Sequence, residues 1–235
     1  MKNPLLITVL FLVSFSAFSQ RNVSIEITAG AISSFSTATN SIDGSQVPME
    51  SSIGANAGLS LLFPISEKWD LYSEFGFYRN GMRNEIKNPT NDFYLFRSMV
   101  PPAYTPSFSF GGRYTFNIKK SEFYLQPGLT LSTSTSLGAM NGFEGSGESR
   151  LEQINKIGTA IKVDVGRKFM TKNDNYFLVG LRYQQGITGL NNYTNPLISN
   201  TVQIGEVTQE TKGSFLGVFM GFGLNTGNWK KANKK

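Results

Sequence analysis

Hydrophobic and polar residues alternate along most of the chain after residue 20. A period of two is the pattern of β-strands with unlike faces, whereas an amphipathic helix would repeat every 3.6 residues. The segment 53–63 (IGANAGLSLLF) shows it, with apolar residues at every odd position and mostly glycine, asparagine or serine at the even ones. Eight segments of this kind are found, at 23–30, 53–63, 69–78, 107–118, 123–132, 157–169, 177–187 and 216–224.

The connections between these segments alternate in length. Short links lie near 64–68, 119–122 and 171–175, and long links near 37–50, 82–104, 138–153 and 189–212. Transmembrane β-barrels have short periplasmic turns and longer external loops, and about 9–11 residues cross a bilayer at a tilt. The pattern therefore predicts an all-β fold, an eight-stranded antiparallel up-and-down transmembrane β-barrel with short periplasmic turns and four longer external loops.

The polar faces of the strands indicate which side points inward. A solvated face is usually rich in Lys and Glu, whereas these faces carry mostly Gly, Ser, Thr, Asn, Gln and Tyr. Three acidic and three basic residues share them, and in a low-dielectric interior such charges must be paired. We therefore expect a structural polar network in the lumen, formed by Glu26, Glu74, Arg113, Lys162, Asp164 and Arg182.

The predicted width of the barrel bears on whether the lumen is open. Eight strands enclose an interior about wide enough for side chains to fill, which favours a plugged lumen. The many inward glycines leave a narrow pore as an alternative.

The apolar face has a few residues that need an explanation. Arg79 and Arg167 lie toward strand ends, where a charge can reach lipid headgroups. Gln185 on the same face indicates a bulge in the seventh strand, and Tyr176 is expected in an aromatic girdle at the short-turn rim.

The N-terminal residues 1–19 have the features of a cleaved secretion signal. Lys2 precedes a short apolar run, and Ala17 and Ser19 supply small residues before a cleavage site at Gln20. The apolar run is too short for a spanning helix, which needs about 20 residues. The predicted organisation is thus a signal at 1–19, a barrel domain at 20–228 and a basic, solvated tail at 229–235.

Composition narrows the chemistry that the chain can perform. Charged residues are 16% of the sequence, against about 25% in ordinary soluble domains. The chain has no His and no Cys, which argues against Ser–His catalysis, disulfides and His- or Cys-ligated metals. It contains no phosphate-binding GxxxxGK[ST] motif, and no basic stretch is interleaved with aromatics as in nucleic-acid binding. We expect no enzyme activity, no cofactor, no metal and no nucleic-acid partner.

Three segments carry a resemblance to a known family. The segments 71–81 (LYSEFGFYRNG), 181–190 (LRYQQGITGL) and 214–225 (SFLGVFMGFGLN) resemble small outer-membrane β-barrels labelled porin-like or PorT-like, and the resemblance spans 20–228. It implies an outer-membrane location, insertion by the barrel assembly machinery, no known enzyme activity and, in some relatives, a part in protein secretion. Such barrels often end on an aromatic residue, whereas Trp229 is followed by six more residues.

These features favour a structural or interaction protein of the outer membrane, with its external loops as the contact surface for possible protein partners. Three alternatives stay open at this point: a narrow porin-like channel for ions or small solutes, an accessory barrel of a secretion assembly, and a soluble lipid-binding barrel. Outer-membrane lipids are the expected surroundings. A closed barrel satisfies its own strand edges, so a monomer is expected.

Overall fold

The computed structural model describes residues 23–35, 37–41, 44, 46–48, 50–51, 53–87, 94–133, 150–171, 175–199 and 202–225. Across these ranges all regular secondary structure is β-strand. No helix there is long and apolar enough to cross a membrane. The predicted signal at 1–19 and the tail at 229–235 lie outside the described residues.

Fourteen strands make up the described part of the chain, and they form two sheets. In chain order the strands are β1 (Ser24–Ser34), β2 (Thr37–Asn40), β3 (Gln46–Pro48), β4 (Glu50–Ser51), β5 (Ile53–Pro64), β6 (Trp69–Lys87), β7 (Tyr94–Ile118), β8 (Ser121–Thr133), β9 (Arg150–Gln153), β10 (Ile157–Met170), β11 (Tyr176–Gly186), β12 (Asn191–Ser199), β13 (Val202–Thr211) and β14 (Phe215–Asn225).

Eight of these strands close into the predicted barrel. Around the barrel the order is β1, β5, β6, β7, β8, β10, β11 and β14, and every neighbouring pair is antiparallel. The barrel closes between its first and last strands, which pair without a register shift from Ser24 opposite Asn225 to Ser34 opposite Phe215. A closed ladder leaves no strand edge unpaired in the hydrocarbon layer, as a membrane-spanning sheet requires.

The two faces of the barrel wall differ in the predicted sense. Phe75 and Met220 point outward and are each 68% exposed, and they belong to a band of exposed aliphatic and aromatic side chains around the wall. The inward face buries the polar residues. A soluble lipid-binding barrel would have these faces reversed. The apolar exterior is that of a protein surrounded by lipid, and it rules out the soluble alternative.

Aromatic side chains pack against one another at both ends of this band. At the short-turn end Trp69 packs against Tyr114, with ring centroids 5.0 Å apart. At the opposite end, which we call the outer end, Phe77 contacts Tyr104 edge-on at 6.1 Å. Such belts are typical of the two membrane–water interfaces of transmembrane barrels.

The connections at the outer end differ from the expected loops. β6 and β7 continue far beyond the barrel as one long hairpin, and β3, β2, β13, β12 and β9 form a second five-stranded sheet, here called the extension sheet. The described parts of the four long links are therefore mostly β-structure. The sequence did not show this because β2 pairs with β13, and β9 with β12, over long separations that no local pattern reveals. Residues 138–149 of the third link lie outside the described residues.

The bulge predicted at Gln185 is absent. β10 and β11 pair in continuous register, with Ile161 opposite Gln185. The Gln185 amide points outward near the outer end of the strand, where it accepts a hydrogen bond of 2.8 Å from the Tyr183 hydroxyl. Its amide nitrogen lies 3.4 Å from Ser214 Oγ. Local hydrogen bonds thus accommodate this polar side chain on the apolar face without a change in register.

Candidate functional site

The barrel lumen is the candidate site, because all six predicted charged residues point into it. Each is 1–4% exposed. They come from five strands: Glu26 from β1, Glu74 from β6, Arg113 from β7, Lys162 and Asp164 from β10, and Arg182 from β11. The alternation of side chains along each strand turns them inward, and the structure brings them together in two clusters.

The cluster nearer the short turns is centred on Glu26 and is called the Glu26 cluster. The Arg113 guanidinium donates to both oxygens of this carboxylate, and the Nη2–Oε2 distance is 2.6 Å. The hydroxyl of Tyr176 donates to Glu26 Oε1 at 2.7 Å. Arg113 Nε donates to Gln126 Oε1 at 2.5 Å, and the guanidinium lies 4.4 Å from the ring centroid of Tyr124. The charged pair therefore has hydrogen-bonding partners on several sides.

The second cluster lies deeper in the barrel and is centred on Glu74; it is called the Glu74 cluster. Lys162 Nζ donates to Glu74 Oε1 at 2.6 Å, and Ser60 Oγ donates to Oε2 at 3.2 Å. Arg182 Nη2 donates to the same Oε2 at 2.9 Å. Arg182 also forms two bonds of 2.9 Å to Asp164, its neighbour in register on β10. Lys162 Nζ is 3.6 Å from Asp164.

Both clusters are electrically neutral. The Glu26 cluster holds one carboxylate and one guanidinium, and the Glu74 cluster holds two carboxylates and two cations. A buried charge is tolerated only when it is paired and its remaining hydrogen-bonding capacity is used. The arrangement meets this condition, and every charge is already engaged by another protein group.

Large side chains fill the space that the inward glycines leave. Tyr124, Tyr176, Leu178 and Phe219 form one buried cluster. A Cβ atom at Gly166 would lie 2.6 Å from the Tyr124 hydroxyl, and its absence lets this ring lie flat against the wall.

Tyr176 belongs to this buried cluster and lies inside the lumen. Its predicted place in the aromatic girdle at the short-turn rim is wrong. It is the first residue of β11, near the rim, but its parity along the strand turns it toward Glu26.

A second apolar cluster closes the outer end of the lumen. Ile32 packs there with Tyr78 and Phe215, whose ring centroids are 5.4 Å apart. The chain turns into the mouth at Gly213, which has a φ of +71° and whose carbonyl accepts a bond of 2.8 Å from Gln184 Nε2. Sequence reasoning missed this cluster, although Phe215 shares the inward parity of the glycines in β14.

Within the described ranges, no three His, Cys, Asp or Glu side chains lie together in a group that could hold a metal ion. The lumen is a packed, neutral interior inside a lipid-facing wall. A closed antiparallel ladder with an apolar exterior and a buried polar interior defines an integral β-barrel membrane protein.

The sequence comparison agrees with this class. The model of the family described as outer membrane protein beta-barrel domain matches residues 18–192, and the chain belongs to that family. The protein is therefore located in the outer membrane. The narrower PorT-like resemblance stays a prediction. No curated protein matches the chain in sequence.

A search of solved structures finds the fold again in one outer membrane protein and a weaker likeness in another. The outer membrane protein OprG from Pseudomonas aeruginosa matches with a TM-score of 0.55 and 10% sequence identity, over 87% of this chain and 96% of that one. Neisserial surface protein A matches with a TM-score of 0.41 and 17% identity, over 85% of this chain and 95% of that one. At 10% identity the likeness to OprG concerns the fold alone.

Proposed function

We propose that the protein is a non-enzymatic structural or interaction protein of the outer membrane, with a lumen plugged by its own side chains. The observation that carries this proposal is the bond between Arg182 and Glu74, which joins opposite walls of the barrel at 2.9 Å. A second such connection joins Arg113 and Glu26, three strands apart around the wall. Side chains that meet across the lumen occupy the path that a solute would need.

The order of the layers supports the plug. From the short turns outward, the lumen holds the Glu26 cluster, the Glu74 cluster and the apolar cluster of Ile32, Tyr78 and Phe215. Aromatic rings pack against both charged clusters, Tyr124 and Tyr176 against the first and Phe219 against the second. A hydrated ion would have to break neutral ion pairs and displace packed rings. Both steps are costly, because the protein interior is densely packed and an unpaired buried charge is strongly unfavourable.

Planar-bilayer recording of the purified, refolded protein tests the plug. We expect insertion without a steady current. A steady current that scales with the number of inserted barrels would overturn the proposal and favour a narrow channel. Heat-dependent mobility in electrophoresis serves as the control that the inserted protein is folded.

The narrow channel is retained as a second candidate because several buried hydroxyls lack a hydrogen-bonding partner. Within the described residues, six buried hydroxyl oxygens have none, and they belong to Thr28, Ser34, Tyr72, Tyr78, Thr115 and Tyr124. Buried polar groups without protein partners commonly bind ordered water. Water at these sites would give the lumen some hydration, and the conductance measurement separates isolated waters from a continuous path.

We propose that the protein has no enzymatic role because its lumen lacks the groups that acid–base or nucleophilic catalysis needs. The chain has neither His nor Cys. Its buried carboxylates, the remaining candidates for acid–base chemistry, are saturated by Arg, Lys, Tyr and Ser donors. A general base must be able to reach a substrate proton, and these groups are enclosed by protein.

The outer end is proposed as the contact surface for partners. The extension sheet and the hairpin of β6 and β7 stand beyond the barrel and present backbone edges and side chains on that side of the membrane. A protein partner, including a component of a secretion assembly, would dock there. Co-purification of a stable partner with the intact protein, and its loss when residues 192–210 are replaced by a short turn, is the expected result. Isolation as a lone barrel would contradict this part of the proposal.

A further inference from the structure

The lipid-facing side of β10 carries one charge in an otherwise apolar neighbourhood. Arg167 is exposed and points outward, and its register neighbours on the adjacent strands are Phe123 of β8 and Val179 of β11. Its guanidinium lies 4.5 Å from the ring centroid of Phe169 and 5.9 Å from that of Phe123. A cation held between two phenyl rings on a lipid-exposed wall needs a counterion that the apolar band does not supply.

The acidic side chains nearby do not serve this purpose. Glu122, the closest carboxylate in the ladder, is on the inward face, where it pairs with Lys168 at 3.1 Å. Of the described residues, none forms an ion pair with Arg167. The guanidinium is therefore available to an anion on the lipid side.

The position of Arg167 sets the depth at which that anion would lie. Arg167 is three residues from the end of β10 at Met170, which is about 10 Å or less along the tilted strand. The guanidinium is closer to Phe169 than to Phe123, so the side chain leans toward the short turns and the membrane surface. Long cationic side chains extend in this way to reach the headgroup region.

We propose that Arg167 binds the phosphate of a phospholipid in the periplasmic leaflet. The short turns of outer-membrane barrels face the periplasm, so the lipids at this depth belong to that leaflet. A guanidinium matches the oxygens of a phosphate with paired N–H donors, and Phe123 and Phe169 hold it in place while the acyl chains cover the apolar wall. The result is a phospholipid site on the outside of the barrel, independent of the lumen.

Lipid retention provides a direct test. Wild type, Arg167→Leu, Arg167→Lys and the lipid-facing control Ile161→Leu, six residues away on the same strand, are extracted in a maltoside detergent, incubated with phosphatidylglycerol and examined by native mass spectrometry. Wild type, Ile161→Leu and, more weakly, Arg167→Lys are expected to retain one phospholipid more than Arg167→Leu. The apparent affinity of that lipid should fall about tenfold or more in Arg167→Leu, as expected for loss of a charged hydrogen bond. Equal retention in wild type and Arg167→Leu would overturn the proposal.

Stability in two environments gives a second readout. The midpoint of the heat-dependent mobility shift should be lower for Arg167→Leu than for wild type in phosphatidylglycerol vesicles. In the maltoside, which has no phosphate, the order should reverse, because leucine suits an apolar surface better than an unpaired charge. A higher midpoint for Arg167→Leu in both environments would contradict the site. If inorganic phosphate in the maltoside stabilises wild type as much as vesicles do, the site is a simple anion site and the lipid assignment is wrong.

Discussion

Arg182 on β11 and Glu74 on β6 are hydrogen-bonded at 2.9 Å although they lie on opposite sides of the barrel, four strands apart in either direction. Neither side chain is an isolated charge. Arg182 also binds Asp164, and Glu74 also binds Lys162. The Arg182–Glu74 bond therefore joins the Arg182–Asp164 pair and the Glu74–Lys162 pair into one network that spans the lumen.

Breaking this network from the cationic side should be strongly destabilising. Arg182→Met removes three hydrogen bonds and leaves two carboxylates with Lys162 as their only cation. Removal of one partner of a buried ion pair typically costs about 3–5 kcal/mol, and we expect a loss of that size in the free energy of unfolding. Urea titration in lipid vesicles measures it, with Val179→Leu on the lipid face of the same strand as the control.

A double variant distinguishes charge imbalance from lost packing. In Arg182→Met with Asp164→Leu, Glu74 keeps its bond to Lys162 and the cluster is neutral again. The loss should then be smaller than in Arg182→Met alone. A double variant that is as unstable as the sum of the two single variants would show that charge balance is not what stabilises the cluster.

Close packing at the inward glycines leads to a second prediction. A Cβ atom at Gly128 would lie 2.0 Å from the Tyr72 hydroxyl and 2.7 Å from the Phe110 carbonyl oxygen. Because the backbone cannot move freely in a closed ladder, Gly128→Ala should destabilise the barrel by about 1–3 kcal/mol, as overpacking does. Gly112→Ala is the matched control, since its Cβ would meet nothing nearer than Trp69 at 3.5 Å.

The same urea titration compares the effects of the two glycine substitutions on the free energy of unfolding. We expect Gly112→Ala to change the free energy of unfolding by less than about 0.5 kcal/mol, as is usual for substitutions that create no clash. Equal effects at the two positions would mean that strand propensity, and not contact with the Tyr72 ring, governs the response.

Opening the plug should create a conductance. Tyr124→Ala together with Phe219→Ala removes the ring that lies against Arg113 and the ring that lies against Arg182, and the space left is lined by Gly166 and Gly180. We expect small current steps in planar bilayers where wild type gives none. Met220→Ala, which shortens an outward side chain next to Phe219, should remain silent. A silent double variant would place the barrier in the ion-pair clusters.

The extension sheet should be dispensable for the barrel. Asn191 lies opposite Thr211, so an Asn-Gly turn can replace residues 192–210 between these two paired positions. The eight barrel strands close without β12 and β13. We therefore expect the shortened protein to insert into membranes and to keep its heat-dependent mobility shift. Loss of that shift would show that the extension sheet stabilises the closed barrel.

The alternation of residue types determined much of this structure without tertiary information. The side-chain period of a strand is two, so the sequence assigns Glu26, Glu74 and Asp164 to one face and Phe75 and Met220 to the other. Link lengths predicted the antiparallel order of the strands. The eight-stranded barrel and its outer-membrane location are confirmed, and both depend on patterns that are local along the chain.

Only the tertiary structure decided which inward groups meet. Strand tilt and register set the height of each side chain in the lumen, and they bring Arg113 to Glu26 and Arg182 to Glu74 across tens of residues of sequence. The same cause underlies the β-structure in the long links, since β2 pairs with β13 and β9 with β12 over long sequence separations. Local sequence sets the face of a residue, whereas its partner depends on how the closed sheet staggers the strands.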